Sequence, residues 1–374
     1  MNNSIIKKSK RNSSIEVMKI IAMILIVISH SVPIYGDQNS IANMHLGAPT
    51  TNMTNLVLVL FRYCGHIGNT MFVVCSSYFL LDSTRSKKEK IMHIVLDTLV
   101  ISLIHLSIAK ILNFNISKDE FDRQIHPMAY GTYWFVSCYL ILYIIHPYLN
   151  KIINSISKQN LFRINIVLLF FYGIVQYYIT DAYYYSGVIG FITIYLCTAF
   201  VKKYMKAFSK NVRLNMIIAI SALVSHILSI LFINVYGLAT KLNDNDALFF
   251  WNSELNILTL IWGICIFNVF NSKKFYNKII NTISSLTLVF YMIHENSLFS
   301  NKLRPEFYEY VFSISNYRIV WVLIQVVAIC VLGVIISLIY KYTLQKIVYK
   351  IGELLLECLR KIYLKIERKI LKKI

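Results

Sequence analysis

Long apolar runs, each about the length of a membrane span, constrain the fold of this chain more than any other feature. Hydrophobic residues make up 57% of the 374 positions and charged residues only 15%, unlike the composition of an ordinary water-soluble domain. About 20 apolar residues in a helix cross the hydrocarbon core of a bilayer, so the sequence predicts an all-α polytopic bundle of about ten transmembrane helices. The predicted spans are 15–35, 54–81, 89–112, 133–150, 162–180, 186–204, 212–236, 250–270, 279–299 and 318–342.

The net charge of +20 follows a membrane topology rather than the pattern of a nucleic-acid-binding surface. If the N-terminus lies in the cytoplasm, the outer loops carry few cations, namely Lys118, Arg123, Lys241, Lys302, Arg304 and Arg318. The other loop cations then lie inside, as the positive-inside rule requires. We therefore expect a multi-pass protein of the cell membrane with both termini cytoplasmic and no nucleic-acid partner.

The domain organisation follows from the same pattern. Residues 1–14 are predicted to form a basic cytoplasmic N-terminus, 15–345 the membrane domain and 346–374 a basic amphipathic tail. Apolar residues recur every three to four positions in the tail, and lysines and arginines fill its other faces. This pattern is typical of a helix lying on an anionic inner leaflet; a solvated or coiled-coil tail is the alternative.

The first span carries Lys19 and His30 on one helical face, because eleven steps of about 100° nearly complete three turns and cover about 16 Å. A histidine in a membrane is usually functional, and a neutral imidazole can remove a proton from a hydroxyl near neutral pH. His30 is therefore the candidate general base. Lys19, close to Glu16 at the cytoplasmic edge, is either a snorkelling anchor or a contact for the phosphates of a cytoplasmic donor.

Two further residues extend this candidate site. His294 lies at about the same depth as His30 when the spans are counted from their cytoplasmic ends. Arg62 lies midway through the second span, where a charge needs a partner or water. We expect either residue to stabilise an oxyanion or position a substrate, with a packing role for His294 as the alternative.

The basic cluster after the second span has two interpretations. Lys87, Lys88 and Lys90 form the loop that the positive-inside rule predicts, and they could also bind phosphates. His93 and Asp97 follow on one helical face, and we expect this pair to satisfy itself.

The motifs of several other function classes are absent from the sequence. It contains no CxxC pair, metal-ligand spacing, Gly-rich phosphate loop, GxSxG turn or HExxH helix. This argues against an ATP-driven pump and a serine-hydrolase-type catalyst, and no metal is expected.

Four stretches resemble the bacterial membrane acyltransferase-3 family, whose members O-acylate cell-surface glycans. Residues 15–30 are similar to the family's Arg-X10-His first helix, and residues 67–80 to its second span, which usually ends in Phe-Phe-x-x-Ser-Gly-Tyr/Phe. Residues 133–147 are similar to its Trp-Phe…Pro span and 291–294 to its Tyr-Leu-Ile-His segment. The matching order and spacing cover residues 14–342, with Lys19 in place of the usual arginine and Ser77 in place of the usual glycine.

The resemblance implies a transferase that moves an acetyl or other short acyl group from cytoplasmic acyl-CoA to a hydroxyl of an extracytoplasmic glycan, with no tightly bound cofactor. The implied site residues are His30 as the base, Glu16, Lys19, Arg62 and His294 in substrate binding or support, and Lys87, Lys88 and Lys90 at the phosphates. A polysaccharide exporter or flippase without acyl transfer is the alternative, because many spans with polar midplane residues also suit transport. No internal repeat of the kind common in transporters is detectable.

Overall fold

The structure, a computed structural model, describes residues 11–32, 52–173, 187–236 and 256–371. The helices of these ranges are α1 (Ser13–His30), α2 (Met53–Leu80), α3 (Lys88–Ile111), α4 (Lys118–Ile125), α5 (Trp134–Ser155), α6 (Lys158–Gly173), α7 (Gly187–Tyr204), α8 (Lys206–Lys210), α9 (Val212–Tyr236), α10 (Ile257–Ser272), α11 (Lys278–Ser284), α12 (Thr287–His294), α13 (Ser297–Ile314), α14 (Arg318–Tyr342) and α15 (Leu344–Leu371). Seven helices in the described ranges are long and apolar enough to cross a membrane, namely α1, α2, α3, α5, α7, α9 and α14. The protein is therefore an all-α polytopic membrane bundle, as the sequence predicted.

The remaining three predicted spans differ from the helices observed. α6 and α10 have 16 residues each, and the rest of the predicted spans 162–180 and 250–270 falls partly outside the described residues. The predicted span 279–299 covers α11 and α12, of which the second ends at His294, and also the first residues of α13. Hydropathy detects this apolar stretch but not the break within it.

Serine side chains explain the break between α11 and α12. Ser284 donates a 2.5 Å hydrogen bond to the Glu16 carboxylate of α1, and the Ser285 hydroxyl donates to the Thr282 carbonyl and accepts from Lys341 of α14. Serine hydroxyls that bond to neighbouring carbonyls compete with helix continuation. The two serines at the break therefore link this segment to α1 and to α14.

Two glycines of α2 allow α1 to approach closely. A Cβ atom on Gly65 would lie 2.7 Å from Ser29 Oγ, and one on Gly68 would lie 2.8 Å from Ile26 Cγ1 and closer still to the Ala22 carbonyl. Small residues let helix backbones pack closely in membranes. The second half of α1, which ends at His30, is thus fixed directly against α2.

The two ends of the bundle carry different side chains. We call the end where α1 begins the basic end; it also carries the loop before α3 with Arg85 and Lys87. The opposite end is the one where α1 ends at His30 and where α12 ends at His294. The two predicted intramembrane histidines therefore terminate neighbouring helices at the same level.

The tail helix α15 starts at the basic end, directly after α14, and packs along α3. Asp97 of α3 accepts hydrogen bonds from Tyr340 (2.8 Å), Gln345 (2.9 Å) and Tyr349 (2.9 Å), and the ring of His93 stacks on Tyr349 with centroids 3.7 Å apart. The expectation that His93 and Asp97 satisfy each other is therefore wrong, because the hydrogen bonds of Asp97 come from α14 and α15 and His93 stacks on Tyr349. These contacts fasten the corner between α14 and α15 to α3.

Candidate active site

Three ionisable side chains meet at the opposite end of the bundle. His30 Nδ1 lies 2.7 Å from Glu295 Oε2 and 3.2 Å from His294 Nε2. The side chain of His294 is 3% exposed and that of His30 is 17% exposed. Of the two histidines, His30 is therefore the one that a substrate can reach.

The contacts of the two imidazoles define where their protons lie. His294 Nδ1 is 3.0 Å from the Phe290 carbonyl and must donate to it, so the Nε2 atom of neutral His294 accepts. His30 Nδ1 then carries the proton that Glu295 and His294 share. The lone pair of neutral His30 is left on Nε2, the atom that a general base needs.

Arg304 of α13 holds the backbone around these side chains in place. Its Nη1 donates to the His30 carbonyl at 3.1 Å and its Nη2 to the His294 carbonyl at 2.6 Å. Nη2 also lies 3.5 Å from Glu295 Oε2. One buried guanidinium thus satisfies carbonyls at the C-terminal ends of α1 and α12, where helices leave acceptors unpaired.

Asn296 fixes the turn that follows Glu295. Its Oδ1 accepts from the Leu298 amide and so caps α13, while its Nδ2 donates to the Tyr133 hydroxyl at 2.7 Å and to Gln124 Oε1 at 2.8 Å. Every partner is buried. The carboxylate of Glu295 is therefore carried on a backbone that is anchored on both sides.

Arg62 approaches the same level from α2. Its Nη1 lies 3.4 Å from the Ser29 carbonyl, and Ser29 Oγ donates to the Arg62 carbonyl at 2.5 Å. The side chain is partly exposed. Arg62 therefore flanks the last turn of α1 with N–H groups that the contact to Ser29 does not use up.

A partly open cavity of about 330 Å³ lies between the basic end and this cluster. Its charged and polar lining includes Arg11, Lys19, Lys90, His93, Asp97, Ser284 and Tyr349, and its apolar lining includes Met23, Ile26, Phe72, Phe135 and Tyr291. Ile26 is one helical turn from His30, and the Tyr291 ring lies 5.8 Å from that of His294. The cavity thus runs from cations to within about one helical turn of His30, although neither imidazole is among its lining residues.

Glu16 and Lys19 form an ion pair at the charged part of the cavity. Lys19 Nζ lies 3.0 Å from Glu16 Oε2, which also accepts from Ser284, and Arg11 Nε lies 3.6 Å from Glu16 Oε1. One carboxylate is therefore shared by two cations. The surplus positive charge favours an anion beside Lys19.

Of the three lysines predicted at the phosphates, one lines the cavity. Lys90 lines the cavity, where its Nζ donates to the Tyr139 hydroxyl at 2.8 Å and lies 4.3 Å from the centre of the Tyr143 ring. Lys87 and Lys88 are exposed and are not among the lining residues. Only a ligand that extends beyond the cavity would reach them.

His30, His294 and Glu295 also have the spacing of metal ligands. One ligand atom from each lies within 4.8 Å of the others. The guanidinium of Arg304, 3.5 Å from the same carboxylate, opposes a second positive charge there. The arrangement is better matched to a hydrogen-bonded His–Glu pair.

The sequence pointed to part of this cluster only. It singled out His30 and His294, which lie together, but assigned no role to Glu295 and counted Arg304 among the outer-loop cations. Glu295 follows His294 directly, and this adjacency of two ionisable residues at a span end was the available signal. Arg304 gave no comparable signal.

Comparisons with known proteins agree with this architecture. The acyltransferase-3 family model, described as an acyltransferase domain, matches residues 12–342. No curated protein and no solved structure matches the chain.

Proposed function

The chain belongs to the acyltransferase-3 family and is a membrane acyltransferase, and we propose that it transfers an acetyl or other short acyl group from acyl-CoA to a hydroxyl of a cell-surface or exported polysaccharide. The observation that carries this proposal is the contact of 2.7 Å between His30 Nδ1 and Glu295 Oε2. A carboxylate that accepts from one imidazole nitrogen orients the ring and makes the other nitrogen more basic.

The cavity supports acyl-CoA as the donor. Lys19, Arg11 and Lys90 supply positive charge for its phosphates, and the apolar lining suits the pantetheine arm. Lys19 and His30 lie about 16 Å apart on the same helix, which suits a donor whose charged end and thioester are far apart. Lys87 and Lys88 would meet any part of the nucleotide that projects from the cavity.

The chemistry requires one base that later acts as an acid. The acceptor hydroxyl attacks the thioester carbonyl carbon while His30 Nε2 takes its proton. The carbon–sulfur bond then breaks, and the protonated His30 returns the proton to the departing CoA thiolate. Glu295 stabilises the imidazolium between these two steps.

Arg62 is the better candidate for stabilising the oxyanion of the tetrahedral intermediate. His294 Nε2 accepts from His30 in the observed arrangement, so neutral His294 has no N–H directed at the substrate. The guanidinium of Arg62 retains donors next to the last turn of α1. His294 would instead position His30.

The charge pattern supports an orientation in the cell membrane. With the basic end in the cytoplasm, acyl-CoA enters beside Lys19 and the glycan approaches His30 from outside. Both termini are then cytoplasmic, and the protein carries the acyl group across the bilayer within one site.

Purified protein in nanodiscs, incubated with radiolabelled acetyl-CoA and acceptor oligosaccharide, tests the proposal. Wild-type protein is expected to label the oligosaccharide, and H30A should lower the rate by at least about 100-fold because the general base is lost. H126A is the matched control, because His126 is exposed at the end of α4. Equal labelling by H30A and H126A would exclude His30 as the base.

The same protein in liposomes distinguishes an exporter. A transporter would move the oligosaccharide across the membrane without label transfer. That result would overturn the proposed acyl transfer and favour polysaccharide export.

A further inference from the structure

The tail helix α15 presents three different faces. At about 100° per residue, Gln345, Val348, Tyr349 and Gly352 form the face that packs on α3. A second, exposed face carries Ile347, Ile351, Leu354, Cys358 and Ile362. The third face is charged. These faces are separated by about 120°, so docking on α3 leaves the apolar stripe uncovered by the other residues that the structure describes.

The position and charge of α15 identify what covers this stripe. α14 is long and apolar enough to cross a membrane, and α15 begins at Leu344, directly after α14 ends at Tyr342. The stripe is therefore at bilayer level. The polar positions between Lys346 and Lys365 carry more cations than acids, namely Lys346, Lys350, Arg360, Lys361 and Lys365 against Glu353 and Glu357. A basic, amphipathic surface helix is suited to anionic lipid.

The packed face of α15 forms part of the donor cavity. Tyr349 lines the cavity together with His93 and Asp97, and its hydroxyl donates to Asp97 at 2.9 Å. Burial and the Asp97 carboxylate raise the pKa of the Tyr349 hydroxyl, which stays protonated and donates at neutral pH. A Cβ atom on Gly352 would lie 2.9 Å from Leu96 Cδ1 of α3, so the two helices are in close contact. Any displacement of α15 therefore moves one wall of the cavity.

We propose that the Ile347–Ile362 stripe of α15 docks on the anionic leaflet at the basic end, and that this docking holds Tyr349 in the wall of the cavity and so strengthens acyl-CoA binding. The coupling to acyl-CoA rests on the proposed function, whereas the docking of the stripe on lipid does not. The tail is then a lipid-dependent part of the donor site rather than an independent appendage.

The lipid surface is tested with a polarity-sensitive fluorophore on Cys358, the exposed native cysteine. Cys64 and Cys330, which are only partly buried, are replaced by serine in full-length protein. We expect a blue shift of emission in phosphatidylglycerol-containing nanodiscs relative to phosphatidylcholine nanodiscs. Identical emission in both membranes would overturn the proposal.

The coupling is tested by measuring CoA binding in the same phosphatidylglycerol nanodiscs. I351K/L354K should abolish the blue shift, because two apolar side chains no longer enter the lipid. It should also weaken CoA binding at least about fivefold, the factor that corresponds to about 1 kcal/mol. E353Q/E357Q is the matched control, because it changes the net charge by the same amount on the charged face. It should retain wild-type CoA affinity.

Equal CoA affinity in I351K/L354K and E353Q/E357Q would overturn the coupling. If wild-type protein binds no CoA, the proposed donor fails and the coupling fails with it. The emission of the Cys358 label then still shows whether the stripe docks on anionic lipid.

Discussion

His30 and Glu295 are in direct contact, with Nδ1 2.7 Å from Oε2, although they are far apart in the sequence. The contact joins the last residue of α1 to the first residue after α12. It gives His30 a defined tautomer, and it assigns a role to a carboxylate whose charge would otherwise be costly at this depth.

Glu295→Gln should lower acyl transfer by about 100-fold or more while the affinity for CoA stays near wild type. The amide can still contact His30 but does not stabilise the imidazolium, so the loss falls on the chemical step. Single-turnover label transfer and CoA binding in nanodiscs measure the two quantities. E306Q, which changes an exposed glutamate of α13, should leave both unchanged; an E295Q defect confined to CoA binding would contradict the proposed role.

Arg304→Lys should reduce both stability and activity. A lysine keeps the charge but cannot reach the His30 and His294 carbonyls with separate donors, and we expect a loss of about 1–3 kcal/mol in the free energy of unfolding. Thermal unfolding in detergent, followed by intrinsic fluorescence, measures the change. R123K provides the comparison, because the ion pair between Arg123 and Asp119 is exposed and exposed pairs contribute little to stability. An equal loss of stability in R304K and R123K would argue against a stabilising role for the contacts of Arg304.

Lys19→Ala should weaken CoA binding about five- to tenfold, the effect of losing one charge-assisted contact worth on the order of 1 kcal/mol. Binding of pantetheine, which lacks phosphates, should not change. Lys19→Arg should bind CoA at least as well as wild type, because a guanidinium offers more donors. K206A removes an exposed lysine at the basic end and serves as the control. An equal loss of CoA and pantetheine affinity in K19A would show that Lys19 does not recognise phosphate.

Gly68→Ala should destabilise the bundle by about 1–3 kcal/mol, because its new methyl group collides with the Ala22 carbonyl and Ile26 of α1, and overpacked positions cost about that much. Acyl transfer should fall as His30 is displaced. Gly190→Ala is the matched control, since a Cβ atom there meets nothing within 4 Å. Unfolding temperatures in detergent compare the two variants, and equal temperatures would mean that α1 and α2 can separate without cost.

The apolar pattern predicted the fold class because a bilayer imposes length and hydropathy on each span. It also placed His30 and His294 at one level, since the direction of each span fixes the depth of its residues. It could not find the break at Ser285, which depends on hydrogen bonds to α1 and α14. The pattern also could not identify Arg304 as part of the site, because charge counting assigns a cation near the end of a span to a loop. Only the position of α13 in the structure shows that Arg304 contacts the His30 and His294 carbonyls.

The long sequence separation between His30 and its partners has a consequence for biosynthesis. His30 and His294 are 264 positions apart. Nearly the whole membrane domain is therefore synthesised before the partners of His30 exist. Until then the nascent chain holds an imidazole without its carboxylate and, under the proposed mechanism, does not transfer an acyl group. Contacts between distant residues also form late in folding. Under the proposed mechanism, a chain truncated before Glu295 would occupy the membrane without consuming the cell's acyl donor.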